Sequence, residues 1–119
     1  MRVIVAGSRN YTDKDFIYSK LDYFLSEASN VEIIEGGCRG VDLIARQYAI
    51  DRNLPYKEFP ANWEIYGKKA GPIRNRKMAE YADALIAFYN GSKGTENMIE
   101  IARNKGLAVR IVPIKQKGC

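Results

Sequence analysis

Gly36-Gly37-Cys38-Arg39-Gly40-Val41-Asp42 decides the reading of this 119-residue chain, and Asn90-Gly91-Ser92-Lys93-Gly94-Thr95-Glu96 repeats its logic further on. Each glycine turn follows a short apolar run that reads as a strand, Ile33-Ile34 before the first and residues 84–89 before the second. Each also opens into a segment with helical spacing. A strand, a glycine turn and a helix N-terminus together present backbone N–H groups without intrahelical partners, and these suit a bound anion. One such turn says little, because glycine also serves plain turn geometry. Two in one small chain, with Ser8-Arg9 after the first strand and Arg74-Asn75-Arg76 between them, point to a phosphate-bearing ligand.

Outward from these turns, residues 2–6 are nearly continuous in apolar side chains, as in a strand buried on both faces. Thr12 or Asp13 can cap a helix whose apolar face is Phe16, Leu21, Phe24, Leu25 and Ala28. Strands follow at 31–35, 56–59, 84–89 and 109–112. Helices are expected over 42–52, with Ile44, Ala45, Tyr48 and Ala49 buried, from Pro72 to 82, and over 95–105 with Gly106 as the stop. Residues 60–71 read as the longest irregular stretch, and the basic tail after residue 112 as frayed. Strands alternating with helices imply parallel pairing and right-handed crossovers. The expected fold is α/β: a Rossmann-like, doubly wound, mainly parallel five-stranded sheet with helices on both faces, in one domain over residues 1–119. Ligands of such sheets bind beyond the carboxyl ends of the strands, where all the polar turns lie.

Composition bounds the partners. A hydrophobic content of 46% with eight Tyr and four Phe supplies an ordinary globular core, so the chain is not disordered. Nineteen Lys and Arg against 14 Asp and Glu give a net charge of +5, compatible with nucleotides, nucleic acid or simple solubility. With no histidine, His-based acid–base catalysis is excluded, and Cys38 and Cys119 form neither a metal motif nor a disulfide frame. Asp and Glu can hold a hydrated Mg²⁺ through ligand phosphates, although no dedicated metal site is visible. No apolar stretch approaches the roughly 20 residues of a membrane span. Met1 leads directly into a strand without a signal peptide, so a cytoplasmic location is expected.

Each candidate residue carries a second, plainer role. Gly36, Gly37 and Gly40 let backbone approach a phosphate, or merely close a tight strand-to-helix turn. Their spacing is neither the dinucleotide fingerprint nor a P-loop. Arg39 pairs with phosphate or lies in solvent; Asp42 accepts from a ribose hydroxyl or serves the helix dipole. Gly91, Gly94 and Thr95 form a second cradle, with Thr95 binding phosphate, capping the helix, or both. Glu96 contacts ribose or is another dipole partner. Arg74 and Arg76 do not share a helix face, so at most one, with Asn75, points into the crevice. Gly7, Ser8 and Arg9 complete the set. Trp63 and Tyr66 can stack on a base, but aromatics in a long loop more commonly plug a core.

The ordered segments Val3-Ile4-Val5-Ala6-Gly7-Ser8-Arg9, Gly36 to Asp42, Phe59-Pro60-Ala61-Asn62-Trp63, Ala70-Gly71-Pro72-Ile73-Arg74-Asn75-Arg76-Lys77-Met78 and Gly91 to Met98 resemble the stand-alone, YspA-like branch of the SLOG superfamily. The resemblance implies a Rossmann-like fold, a nucleotide or nucleotide-derived ligand, and self-association into homo-oligomers. The superfamily includes cytokinin-activating phosphoribohydrolases, the single-strand DNA-binding protein of natural transformation, and sensor domains of antiviral defence. In the phosphoribohydrolases a Pro-Gly-Gly-x-Gly-Thr-x-x-Glu turn ends in the catalytic Glu. Here that position is Met98, and a thioether cannot replace a carboxylate in glycosidic hydrolysis. Arg76-Lys77 resembles the Arg-Lys pair of those enzymes, although Met78 follows at once.

The function expected is therefore binding of a nucleotide-type small molecule, as sensor, carrier or sequestering protein. An N-glycosidase acting on nucleoside 5′-monophosphates is the alternative, and requires Glu96, Asp42 or Asp13 to substitute for the missing carboxylate. A single-stranded nucleic-acid binder using the basic stretch 68–77 ranks third.

Overall fold

The apolar runs β1 (Arg2–Gly7) and β4 (Ala84–Tyr89) lie side by side at the centre of the computed structural model, which describes residues 1–115. The stretch expected to be frayed begins in order, since Pro113 ends the last strand and the Ile114 N–H donates to the Tyr89 carbonyl at 3.0 Å. Residues 116–119, with Cys119, lie outside the described residues. Beside β1 runs β2 (Glu32–Glu35), and then the edge strand β3 (Tyr56–Glu58); beside β4 runs β5 (Ala108–Pro113). The order is β3-β2-β1-β4-β5 and every pairing is parallel.

Alternation along the strands divides the core in two. Val3, Val5, Ile33, Ile86 and Phe88 face α1 (Lys14–Leu25) and α2 (Val41–Asp51). Ile4, Ala6, Ile34, Leu85 and Ala87 face α4 (Ala70–Tyr81) and α5 (Lys93–Asn104). The central strands therefore read as unbroken apolar runs because both faces are covered. Ile4, Ile33, Ile34, Leu85 and Phe88 are fully buried, each contributing about 1.5–3 kcal/mol relative to exposure.

Helix ends follow local chemistry. The Asp13 carboxylate accepts from the Phe16 N–H at 3.1 Å, making Asp13 the cap of α1. Behind α5, Gly106 has φ +80°; its N–H donates to the Arg103 carbonyl and the Leu107 N–H to that of Ala102, the paired bonds of a Schellman stop. Three features differ from the sequence reading by more than one residue. The stretch expected to be irregular contains α3 (Trp63–Tyr66), capped by Asn62, and a 3₁₀ turn at Gly67–Lys69. Thereafter α4 starts at Ala70, leaving Pro72 within the first turn, where its missing N–H has no helical role. Likewise α5 starts at Lys93, placing Thr95 inside the first turn and Ser92 at the cap.

The chain reverses its progress across the sheet between β1 and β4. After β1 it winds outward through β2 and β3, then crosses back to β4. Loops from the two halves part there, which leaves a crevice beyond the strands' carboxyl ends.

Candidate functional site

A cavity of about 470 Å³ occupies that crevice, a size within the range of small-molecule sites. Gly7, Ser8 and Arg9 enter it from the end of β1, and Gly36 and Asp42 from the turn between β2 and α2. Arg74 and Asn75 come from α4, and Gly94 and Thr95 from the first turn of α5. Four separate segments named by the sequence thus converge on one space.

The first turn is held from beneath by a charged group that the sequence reading missed. Glu35, at the end of β2, is 0% exposed; it accepts from the Gly37 N–H, while Arg46 donates to its other oxygen through Nε (3.3 Å) and Nη2 (3.2 Å). Arg46 also pairs with Glu58 on β3. Burial pushes the Glu35 carboxyl up, against the opposing pull of the Gly37 N–H and the Arg46 guanidinium. Its signal in the sequence was a carboxylate closing an apolar strand, which should otherwise be costly to bury.

Asp42 is 7% exposed and accepts from the Cys38 N–H at 3.2 Å. Burial pushes its carboxyl up to about 6, although the Cys38 N–H and the charge of Arg74 oppose the shift. It is the one carboxylate lining the cavity among the described residues. Two glycines permit the surrounding backbone to approach so closely. A Cβ on Gly40, whose φ is +80°, would strike the backbone carbonyls of Ser8 and Arg9; one on Gly7 would stand 2.6 Å from the Val41 side chain.

On the opposite wall Arg74 Nη1 donates to the Gly36 carbonyl at 2.8 Å, and Nε to Asn75 Oδ1 at 3.0 Å. Asn75, 5% exposed, donates through Nδ2 to Asn97 Oδ1 at 2.9 Å, joining α4 to α5. Ser92 Oγ donates to Thr95 Oγ1 at 2.8 Å and makes no side-chain cap on the helix N–H groups. The first turn of α5 therefore faces the cavity with its N–H groups uncapped by a side chain, and nothing lies within 4 Å of where a Gly94 Cβ would stand. Such an opening suits an anion.

Six residues expected in the site do not line this space. Gly37 and Gly40 shape the turn instead, through the Glu35 bond and the Ser8–Arg9 contact. Arg39 is exposed and donates to Asn10 Oδ1 at 3.1 Å; Arg76 is exposed, two positions from Arg74 and so on another helix face. Gly91 makes the bend before α5 with φ +95°, and Glu96, also exposed, accepts from the Tyr89 hydroxyl. Conversely, Asn10, Cys38, Ser92, Lys93 and Asn97 line the cavity without having been singled out for it, as do Met98, at the position of the missing Glu, and Trp63, weighed as a base-stacking residue. Trp63 and Tyr66 plug no core: they are 50% and 44% exposed, and Trp63 forms part of the cavity rim. Of the three carboxylates that could replace the Glu absent at position 98, only Asp42 reaches the cavity, since Glu96 is turned to Tyr89 and Asp13 caps α1. Among the described residues no group of three His, Cys, Asp or Glu is arranged to hold a metal ion.

These features match a known group. A family model for YAcAr, the YspA, cpYpsA-related SLOG family, matches residues 1–66, and the chain belongs to that family. Gene 61 protein of Mycobacterium phage D29 is 34% identical over 116 residues, covering 91% of this chain and 93% of the phage protein. Among solved structures, DNA processing protein A of Streptococcus pneumoniae superposes with a TM-score of 0.77 at 17% identity, covering 98% of this chain and 52% of that one. The Helicobacter pylori protein of the same name, whose structure is described for its single-stranded DNA binding mode, gives 0.75 at 18% identity, covering 98% and 67%. At such identities the likeness establishes the shared Rossmann-like fold, and the chain spans about half the length of the pneumococcal protein. Among the described residues no helix is long and apolar enough to cross a membrane.

Proposed function

We propose that this protein binds a nucleotide or nucleotide-derived small molecule in the cavity between β1 and β4, as a sensor, carrier or sequestering protein. One observation carries this reading: the uncapped first turn of α5 opens onto a cavity that Ser8, Asp42, Arg74 and Asn75 line from three other segments. In this reading the α5 N–H groups and Ser8 hold phosphate, Arg9, Lys93 and Arg74 neutralise its charge, and Asp42 accepts from a ribose hydroxyl. Any Mg²⁺ arrives on the ligand's phosphates and is tested by titration with and without a chelator. Self-association is measured by light scattering on the same samples.

The test is native purification, denaturation and mass spectrometry of released small molecules, alongside a thermal-shift panel of nucleotides. A ligand at a hundred times its Kd adds about 2.7 kcal/mol, roughly 10 °C in Tm for a domain of this size. Recovery of the nucleotide intact supports binding; accumulation of free base supports hydrolysis through Asp42. Absence of any shift across the panel overturns the reading.

The basic residues of α4 and the likeness to the Helicobacter pylori structure favour single-stranded nucleic acid as the second reading. Affinity that grows with strand length and falls steeply with salt would select it.

A further inference from the structure

A second, open groove of about 760 Å³ lies against the first cavity and shares two residues with it, Trp63 and Arg74. Its other walls include Glu58, Phe59, Tyr66 and Lys77. Together the two spaces exceed the ~1,000 Å³ upper end of single small-ligand sites. Their partition is the half-exposed indole of Trp63, which rests against the start of α4: a Cβ on Gly71 would meet its Cη2 at 3.5 Å.

The segment that builds this partition has no role in the core. No residue of α3 is buried, and Trp63, Ile65 and Tyr66 are 50%, 71% and 44% exposed in succession. It is nevertheless held in place, since Asn62 Oδ1 accepts from the Ile65 N–H at 3.2 Å. A fixed, exposed indole at the junction of the two spaces, with the Tyr66 ring on the groove side, is suited to stacking flat rings. The charges are arranged for a polar link between such rings. Arg74 stands on the partition, Lys77 brings a second cation into the groove, and the Glu64 carboxylate supplies an acceptor for sugar hydroxyls or base amines beside Glu58, which is itself paired with Arg46.

We infer that the groove is a second ligand subsite, and that the ligand is two nucleosides bridged by phosphate, one in each space, with Trp63 between them and Arg74 and Lys77 at the bridge. This rests on the reading of the first cavity as a nucleotide site and narrows it to a two-ended ligand.

The chain's single tryptophan, Trp63, makes the test direct. The full chain is titrated with each of four 5′-phosphorylated dinucleotides, with pyrophosphate-linked dinucleosides, with the matching mononucleotides, and with an octanucleotide, following Trp63 fluorescence and calorimetry. One bridged class is expected to bind about tenfold more tightly than its mononucleotide, the contribution of one further stacked base, and to quench Trp63. Whichever linkage wins distinguishes a strand-derived ligand from a pyrophosphate one. Tyr66→Ala and Lys77→Ala, both at exposed positions, should remove that advantage while mononucleotide affinity is retained. Equal affinity for one- and two-unit ligands overturns the second subsite and leaves the cavity reading standing. Failure of every mono- and dinucleotide overturns both, and an octanucleotide tenfold tighter than any dinucleotide replaces the inference with a strand-binding groove.

Discussion

Arg74 Nη1 donates to the Gly36 carbonyl oxygen at 2.8 Å, tying the fifth residue of α4 to the glycine turn after β2. The two residues lie 38 positions apart, on segments that pack against different parts of the sheet. The same guanidinium donates to Asn75, which in turn holds Asn97 on α5. One side chain thus fixes the spacing of three of the four walls of the cavity. Its charge beside Asp42 also offsets part of the burial that raises that carboxyl.

Replacing Arg74 should separate geometry from charge. Arg74→Lys keeps the charge but cannot reach Gly36 and Asn75 from one planar fork. Loss of a hydrogen bond from a charged donor costs about 1.5–3 kcal/mol. A lowered urea midpoint and loss of nucleotide-induced thermal shift are expected in both Arg74→Lys and Arg74→Ala. Retention of full binding by the lysine variant would show that charge alone suffices.

Asp42 sets a pH dependence. Its folded carboxyl is pushed up to about 6 from an ordinary 3.8. Between those values the folded state keeps a proton that the unfolded chain has released. The contribution is therefore fully present below about pH 4 and is lost as pH rises through about 6, by about 3 kcal/mol. Asp42→Asn retains an acceptor for the Cys38 N–H but does not titrate. Denaturant midpoints should fall less for the variant than for the wild type between about pH 4.5 and 7.5. Arg52 holds the Asp22 carboxyl down in both proteins, so its opposite trend cancels in the comparison. Parallel pH curves would remove Asp42 from this role.

Gly94→Ala should damage the site without damaging the fold. Nothing stands within 4 Å of the added Cβ, and alanine is favoured over glycine in a helix by about 1 kcal/mol. The variant is expected to be at least as stable as wild type while its nucleotide affinity drops, because the methyl enters the space beside the uncapped N–H groups. Gly40→Ala should do the reverse, lowering stability by at least about 1–3 kcal/mol through backbone strain. Calorimetric binding and thermal melts on both proteins separate the two effects.

The Glu35–Arg46 pair carries a structural prediction. Arg46→Met leaves the fully buried Glu35 without its cation, and breaking a buried pair on one side costs about 3–5 kcal/mol. The double variant Glu35→Leu/Arg46→Met should recover most of that loss in guanidinium melts. An unchanged midpoint in the single variant would contradict the buried geometry.

The sheet was legible in the chain because both faces of its central strands are covered, and continuous apolar runs such as residues 2–6 and 84–89 record that burial directly. The glycine turns were legible for a similar local reason, as were a cap at Thr12 or Asp13, which the structure resolves to Asp13, and the Gly106 stop. Short-range rules did not reveal α3, since four residues around Trp63 carry no helical period of their own. Nor did they reveal Glu35, whose burial depends on Arg46 eleven positions later, a cation it shares with Glu58 on the neighbouring strand.

The sequence alone therefore determined the order of the five strands and the four longer helices, the parallel Rossmann-like sheet and the end of it at which polar turns gather. Only the tertiary structure decided which side chains of those turns share one space. Arg74 rather than Arg76 and Asp42 rather than Glu96 line the cavity, because helix phase and the partners Gly36, Cys38 and Tyr89 direct each group. It also decided that Trp63 stands at a boundary between two cavities instead of in the core. Backbone pattern is written in neighbouring residues, whereas a binding surface is assembled from segments that meet only when the chain has folded.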